Sequence, residues 1–286
     1  MNAEAEGRTA AERFRREHRL GVQPLGDLVA VTEQTTGFDV AILDAGPDEH
    51  GLAMRDPERD TVFIGVARTT RPMRQRSTLA HELAHVLFED WANAEGGDWS
   101  QPSPEEDRCR SFARHLLVPV EGVREFLGDR DEVTLASLSA VVQRFLVSPT
   151  IAAIALDQAG YIDAATSEHW RDLHTPQLAA RFGWTDQYRA LQAESDRRRA
   201  PQRLLARAIN GYALGVLHAQ HIATLRGVTL EEAEADLDEA GVAPIERDVV
   251  WANASDLPDV HVDLSDLDDD LTTSDNGPGA VESDGG

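Results

Sequence analysis

The chain has 286 residues, enough for one large or two small domains with a well-buried core, so length permits an enzyme. Its formal net charge of −24 argues against a protein that works mainly by neutralising nucleic-acid phosphate or by lying on an anionic membrane surface. The single cysteine, Cys109, excludes an intrachain disulfide, and no signal-like apolar core or membrane-length apolar run occurs, so a soluble, cytoplasmic protein is expected.

Residues 9–33 are expected to be helical, because "AERFRREHRL" and "LGDLVAVTEQT" place apolar side chains three and four apart, and Gly37 closes the segment. "FDVAILD" and "TVFIGV" are β-branched and aromatic runs. With "GLAMR" and the turn signal "DPERD" between them, residues 51–66 read as a hairpin of a small sheet. "TVFIGV" is also a candidate edge that an extended peptide could join by main-chain hydrogen bonds. Pro72 suits the first turn of the next helix, whose apolar stripe is Leu79, Leu83, Val86 and Leu87. A linker, "NAEGGDWSQPSPEED", then leads to a third helix, "DRCRSFARHLLVP", ending near Pro119.

Residues 134–160 have the form helix, turn, helix, glycine. The second helix of such a unit either enters a groove or packs internally, and "PTIAAIALDQAG" offers no arginine for phosphates or base edges, which favours packing. A further helical region covers residues 175–240, where Thr229 and Glu232 have capping-box spacing and Gly241 closes the last helix. From Asp256 onward there are ten acidic residues and no arginine, a composition expected to form a disordered acidic tail.

Chemistry concentrates in "STLAHELAHVLFED". On a helix, His81 and His85 lie one turn apart on one face, so both can direct an imidazole nitrogen at one ion. Glu82 then sits beside the ion, where a carboxylate can take a proton from the attacking water and deliver it to a leaving amine. HExxH arises by chance in roughly 3 % of chains of this length and composition, so the pattern needs context. Glu89 continues the stripe, but it lies about 12 Å along the axis from His81, too far for a shared first shell. The third ligand must come from another element, and Glu105, Glu106 and Asp107 open the next helix, where acids are also expected as favourable charges.

"LAHELAH" followed by "EEDRCRSFARHLLVP" and "LSAVVQRFLVSPTIAAIALDQAGYI" resembles the ImmA/IrrE-like metallopeptidases over residues 10–165. The resemblance implies an α+β fold, zincin-like, with a small mixed sheet and an HExxH active-site helix, followed by a mainly α-helical C-terminal region. It implies a zinc-dependent endopeptidase (Mn2+ being another fitting ion), with His81, His85 and Glu106 as metal ligands and Glu82 as general base and acid. Counted back from Phe112 the family's glutamate falls on Glu106, with Glu105 the alternative in another register.

The family commonly has Asn or Asp two residues before that phenylalanine, suited to orienting a ligand histidine, whereas this chain has Arg110. Arginine cannot accept a hydrogen bond, so either another carboxylate holds the histidine or the site is altered. Cys109 is expected to be a packing residue, and His115 either packs or faces the cleft as an oxyanion donor. The implied partner is a repressor-like or antitoxin-like protein substrate, with neither direct DNA binding nor a membrane partner expected. The competing reading is a non-enzymatic transcription regulator or sensor with a structural or degenerate metal site. The expected organisation is a metallopeptidase domain (1–120), a helix-turn-helix-like segment (121–165), a helical region (166–255) and the acidic tail (256–286).

Overall fold

Asn2 accepts the Ala5 N–H at 2.9 Å and starts helix α1 (Ala3–Glu17), which places Glu4 and Glu6 in its first turn and Arg15 and Arg16 in its last, matching the helix dipole. The structure, a computed structural model, describes residues 2–46, 51–90, 103–130 and 132–245. The acidic tail and most of the linker before the third predicted helix lie outside the described residues.

Residues 9–33 are not one helix. After α1 the chain turns through left-handed Arg19 and Gly21, passes Pro24 and restarts as α2 (Leu28–Thr36) on an Asp27 cap. The Arg15 guanidinium fastens the break: it donates to the carbonyls of Gly21 at 2.7 Å, Gln23 at 3.1 Å and Leu116 at 2.8 Å. Gly37 ends α2 at φ 73°, the left-handed conformation that glycine adopts without steric cost.

Strands β1 (Asp39–Leu43), β2 (Gly51–Asp56) and β3 (Thr61–Ala67) form a mixed sheet in the order β1-β3-β2. β2 and β3 make the expected antiparallel hairpin, with Gly51 opposite Val66. β1 runs parallel to β3, pairing Val40 with Ile64. The strand "TVFIGV" is therefore central, and the expectation that it offers an edge to a peptide is corrected. A hydrophobic strand buried on both flanks gains two ladders of hydrogen bonds, and non-local pairing with β1 supplies the second. On the outer side of β1, Ile42 exchanges main-chain hydrogen bonds with Arg199 at 2.8 and 3.0 Å. Among the described strands the outer side of β2 remains open, with Leu52 and Met54 exposed.

Helix α3 (Pro72–Leu87) packs on β2 and β3, and α4 (Pro104–Leu117) lies against both α3 and α1. The α1–α4 approach is close enough to demand Gly7, since a Cβ there would meet Phe112 N at 2.7 Å. Beyond α5 (Val120–Leu127), helices α6 (Leu135–Phe145) and α7 (Pro149–Gln158) meet at 109°. α7 buries Pro149, Ala152, Ala153, Ala155 and Leu156, and it packs on α5, α6 and α8 (Ala164–Arg171). Its apolar sequence is thus accounted for by internal packing.

Trp170, Leu178, Trp184 and Tyr188 extend the same core through α8, α9 (Thr175–Arg181) and α10 (Thr185–Ser195). Helices α11 (Gln202–Ala213), α12 (Ala219–Arg226) and α13 (Leu230–Glu239) form a separate small cluster on Ala208, Ala219, Ile222 and Leu237. The Thr229–Glu232 capping box and the Gly241 turn occur as read from the sequence. No single helix among the described residues is long and apolar enough to cross a membrane.

Candidate metal centre

Pro72 opens α3, and Leu79, Leu83 and Val86 turn into the core, which fixes the helix rotation. The opposite flank then presents His81, Glu82 and His85. α4 is placed by Ser103, whose hydroxyl accepts the Glu106 N–H at 3.2 Å, and by Pro104 at its first position. Of the three acids in that first turn only Glu106 is buried; Glu105 and Asp107 face solvent.

Two imidazole nitrogens and one carboxylate converge. His81 Nε2 and His85 Nε2 are 3.1 Å apart. Glu106 Oε2 is 3.2 Å from His81 Nε2, and Glu106 Oε1 is 3.3 Å from His85 Nε2. Ligand atoms at tetrahedral corners around a zinc-sized ion are about 3.3 Å apart, so the spacing and the donor set both fit a divalent ion with an open fourth position. Burial first, then the neighbouring charges of His85 and Arg110, push His81 down to about 4, which keeps its imidazole neutral and able to ligate at neutral pH. Burial, reinforced by the Glu106 charge, pushes Glu82 up to about 7, where a carboxyl can both accept and release a proton. Glu89 lies past the helix end in a left-handed conformation, exposed and outside this group.

Arg110 is half exposed and caps the solvent side of the cluster, 3.4 Å from Glu106 Oε2 and 3.2 Å from Asp107. The groups behind His85 come from elsewhere. Left-handed Glu89 folds the chain back so that Asp90 N–H reaches the His85 carbonyl at 2.9 Å, leaving Asp90 Oδ2 3.8 Å from His85 Nδ1. Between them lies buried Cys109, its sulfur 3.6 Å from His85 Nδ1 and 3.8 Å from Asp90 Oδ2. Burial, with Asp90 and Glu106 nearby, raises the thiol far above its ordinary value, so it remains protonated. Asp90 is held by Arg108, whose guanidinium stacks over Phe88 at 4.6 Å. A carboxylate thus stands near the histidine, supplied by the turn after α3 and not by α4.

His115 packs. It is 4 % exposed and its Nε2 meets Glu4 Oε1 at 3.0 Å, in the α1–α4 interface. Burial alone would raise the Glu4 carboxyl, but hydrogen bonds from Arg114 and His115 outweigh it and bring Glu4 to about 2. The sequence reading also passed over Gly51, where a Cβ would come within 2.7 Å of both Glu82 Oε1 and Thr78 Cγ2. Glycine lets the start of β2 lie against the glutamate. A glycine opening a predicted strand was the one available signal, and it does not say what approaches.

A three-stranded mixed sheet, a helix presenting two histidines and a glutamate, and a third acid from the next helix define a mixed α+β peptidase-type domain with a candidate metal site. Residues 34–157 match the Peptidase_M78 family, the IrrE N-terminal-like domain, so this segment of the chain belongs to the family that its motifs resemble. The match begins within α2 and ends within α7. No curated protein matches the chain.

Proposed function

We propose that the chain is a cytoplasmic, zinc-dependent endopeptidase whose ion is held by His81, His85 and Glu106. The observation that carries this reading is the convergence of His81 Nε2, His85 Nε2 and the two Glu106 carboxylate oxygens, at 3.1, 3.2 and 3.3 Å in a buried setting. Two imidazole nitrogens and a carboxylate this close crowd electron-rich atoms together, a cost that a shared cation removes. His/His/Glu also suits manganese or iron, so metal identity is part of the proposal.

A divalent ion there supplies Lewis acidity, polarising a peptide carbonyl and acidifying water. The chain's own residues do the rest. Glu82, next to His81 on α3 and pressed by Gly51, takes the proton of the attacking water and passes it to the departing amide nitrogen. Its carboxyl, at about 7, is matched to that two-way transfer near neutrality. Cys109, its thiol donating to Asp90, presents its sulfur to accept a hydrogen bond from His85 Nδ1–H, which leaves Nε2 for the metal.

The substrate that this reading favours is a repressor-like or antitoxin-like protein, whose cleavage releases gene expression. Direct DNA binding has no support from α7, which is buried and carries no arginine. The test is metal content and peptidase activity of purified wild-type protein beside His81→Ala and Glu82→Gln. His81→Ala should lose the metal; Glu82→Gln should keep it and lose at least about 10²-fold in turnover. Equal, negligible metal in wild-type and His81→Ala would sink the reading at its base.

A further inference from the structure

North of the metal site along α3 the surface opens into a cavity of about 360 Å³, lined by Ala45, Val66, Thr69, Gln75, Thr78 and three arginines, Arg68, Arg71 and Arg74. Three guanidinium groups around one cavity are unexpected in a chain of net charge −24, where each basic side chain has nearly two carboxylates available to it. Arg68 is neutralised by Asp44 at 2.5 Å. Arg71 and Arg74, both exposed, have no acidic partner among the described residues, so their charges are left to the cavity and solvent.

The cavity is connected to the chemistry. Arg74, Thr78 and Glu82 are spaced i, i+4, i+8 on α3 and share one face. Thr78 lines the cavity, and Thr78 and Glu82 together receive the close approach of Gly51, so one helical turn separates the cavity wall from the glutamate. Eight residues of helix span about 12 Å. An extended peptide covers that distance in about three to four residues.

We propose that this cavity receives an acidic side chain of the polypeptide substrate, about three to four residues from the bond that is cut. The inference rests on the peptidase reading and deepens it, by giving the substrate a chemical mark. Arg71 and Arg74 form the charged wall, and the Thr78 hydroxyl offers a neutral donor beside it. Guanidinium fixes a carboxylate by paired hydrogen bonds, so Asp or Glu should be preferred over the isosteric amides.

The experiment uses the full-length Glu82→Gln protein, which holds peptides without cutting them, and labelled unstructured peptides in which Asp or Asn is walked through the positions on either side of the centre. Fluorescence anisotropy should show one position where Asp binds about tenfold more tightly than Asn, with the preference shrinking as salt rises. Adding Arg71→Gln and Arg74→Gln, both at exposed positions, should bring that ratio below about twofold, with an unchanged thermal melt as the check on folding. Equal binding of Asp and Asn peptides at every position, or a preference that survives the double substitution, overturns the proposal. Cleavage of the same peptides by metal-loaded wild-type protein separates the two readings. Cleavage without acid preference defeats the cavity assignment alone, whereas acid-selective binding with no cleavage of any peptide defeats the peptidase reading and leaves the cavity as an acidic-peptide site.

Discussion

The core that runs from α1 to α10 and the three helices α11 to α13 follow the same amphipathic rule but bury different things. The first encloses Arg15, Glu33, His85, Glu106 and His115 among its large apolar side chains. The second is centred on Ala208, Ala219, Ile222 and Leu237, and the buried polar residues of the described chain all precede it. Burying an ionisable group costs several kcal/mol unless partners replace water, so only an extensive apolar scaffold can carry a set of them. The candidate metal ligands therefore sit within the larger apolar core, whereas the C-terminal helices leave Leu214 and Val216 exposed.

The strongest way to break this contrast is to compare neighbours that differ only in burial. Glu106→Ala should weaken metal binding by about 10²-fold or more, whereas Glu105→Ala, one residue away but facing solvent, should stay within about twofold. Equal effects in a chelator-competition titration would place the third ligand elsewhere. Next in size are matched lesions in the two regions. Arg15→Met removes a guanidinium that satisfies three carbonyls and should cost about 3 kcal/mol of global stability, with the loss read in the main thermal transition. Ile222→Ala should cost about 2 kcal/mol but only locally, speeding amide exchange in α11–α13 while metal content holds. A uniform rise in exchange across the chain would mean that the two clusters unfold as one.

The smallest expected effect concerns pH. Glu4 titrates near 2 when folded and near 4.5 otherwise, so its ion pairing contributes stability that is whole above about pH 4.5 and lost as pH falls toward 2. Because the carboxyl is nearly half exposed, solvent screening limits the contribution to about 1 kcal/mol. Glu4→Gln should flatten the acid limb of a stability-versus-pH curve in that window and leave the curve above pH 6 parallel to wild type. An unchanged acid limb would remove the Glu4–Arg114–His115 link from the account.

Much of the fold was legible because its signals are local. The hairpin of β2 and β3, the Pro72 start of α3, the Gly37 stop and the Thr229–Glu232 box each depend on a few adjacent residues. The helical break after α1 was not, since its amphipathic spacing resumes beyond the turn and Arg15, which secures that turn, reaches a carbonyl 101 residues away. β3 passed for an edge for a similar reason: its parallel partner β1 lies beyond the hairpin.

At the site, the sequence by itself determined the two histidines and their glutamate, because a helix of known pitch carries i and i+4 to one face whatever surrounds it. It narrowed the third donor to adjacent acids but not to one by geometry alone. Tertiary structure decided that Glu106 meets His81 and His85, that Asp90 and Cys109 stand behind His85 in place of a carboxylate at position 110, and that Gly51 presses on Glu82. Those relations depend on how α3, α4 and β2 are rotated and set against one another. That rotation is fixed by the packing of Leu79, Leu83, Phe112 and Leu116 in a shared core, which is a property of all these elements together and of none of them alone.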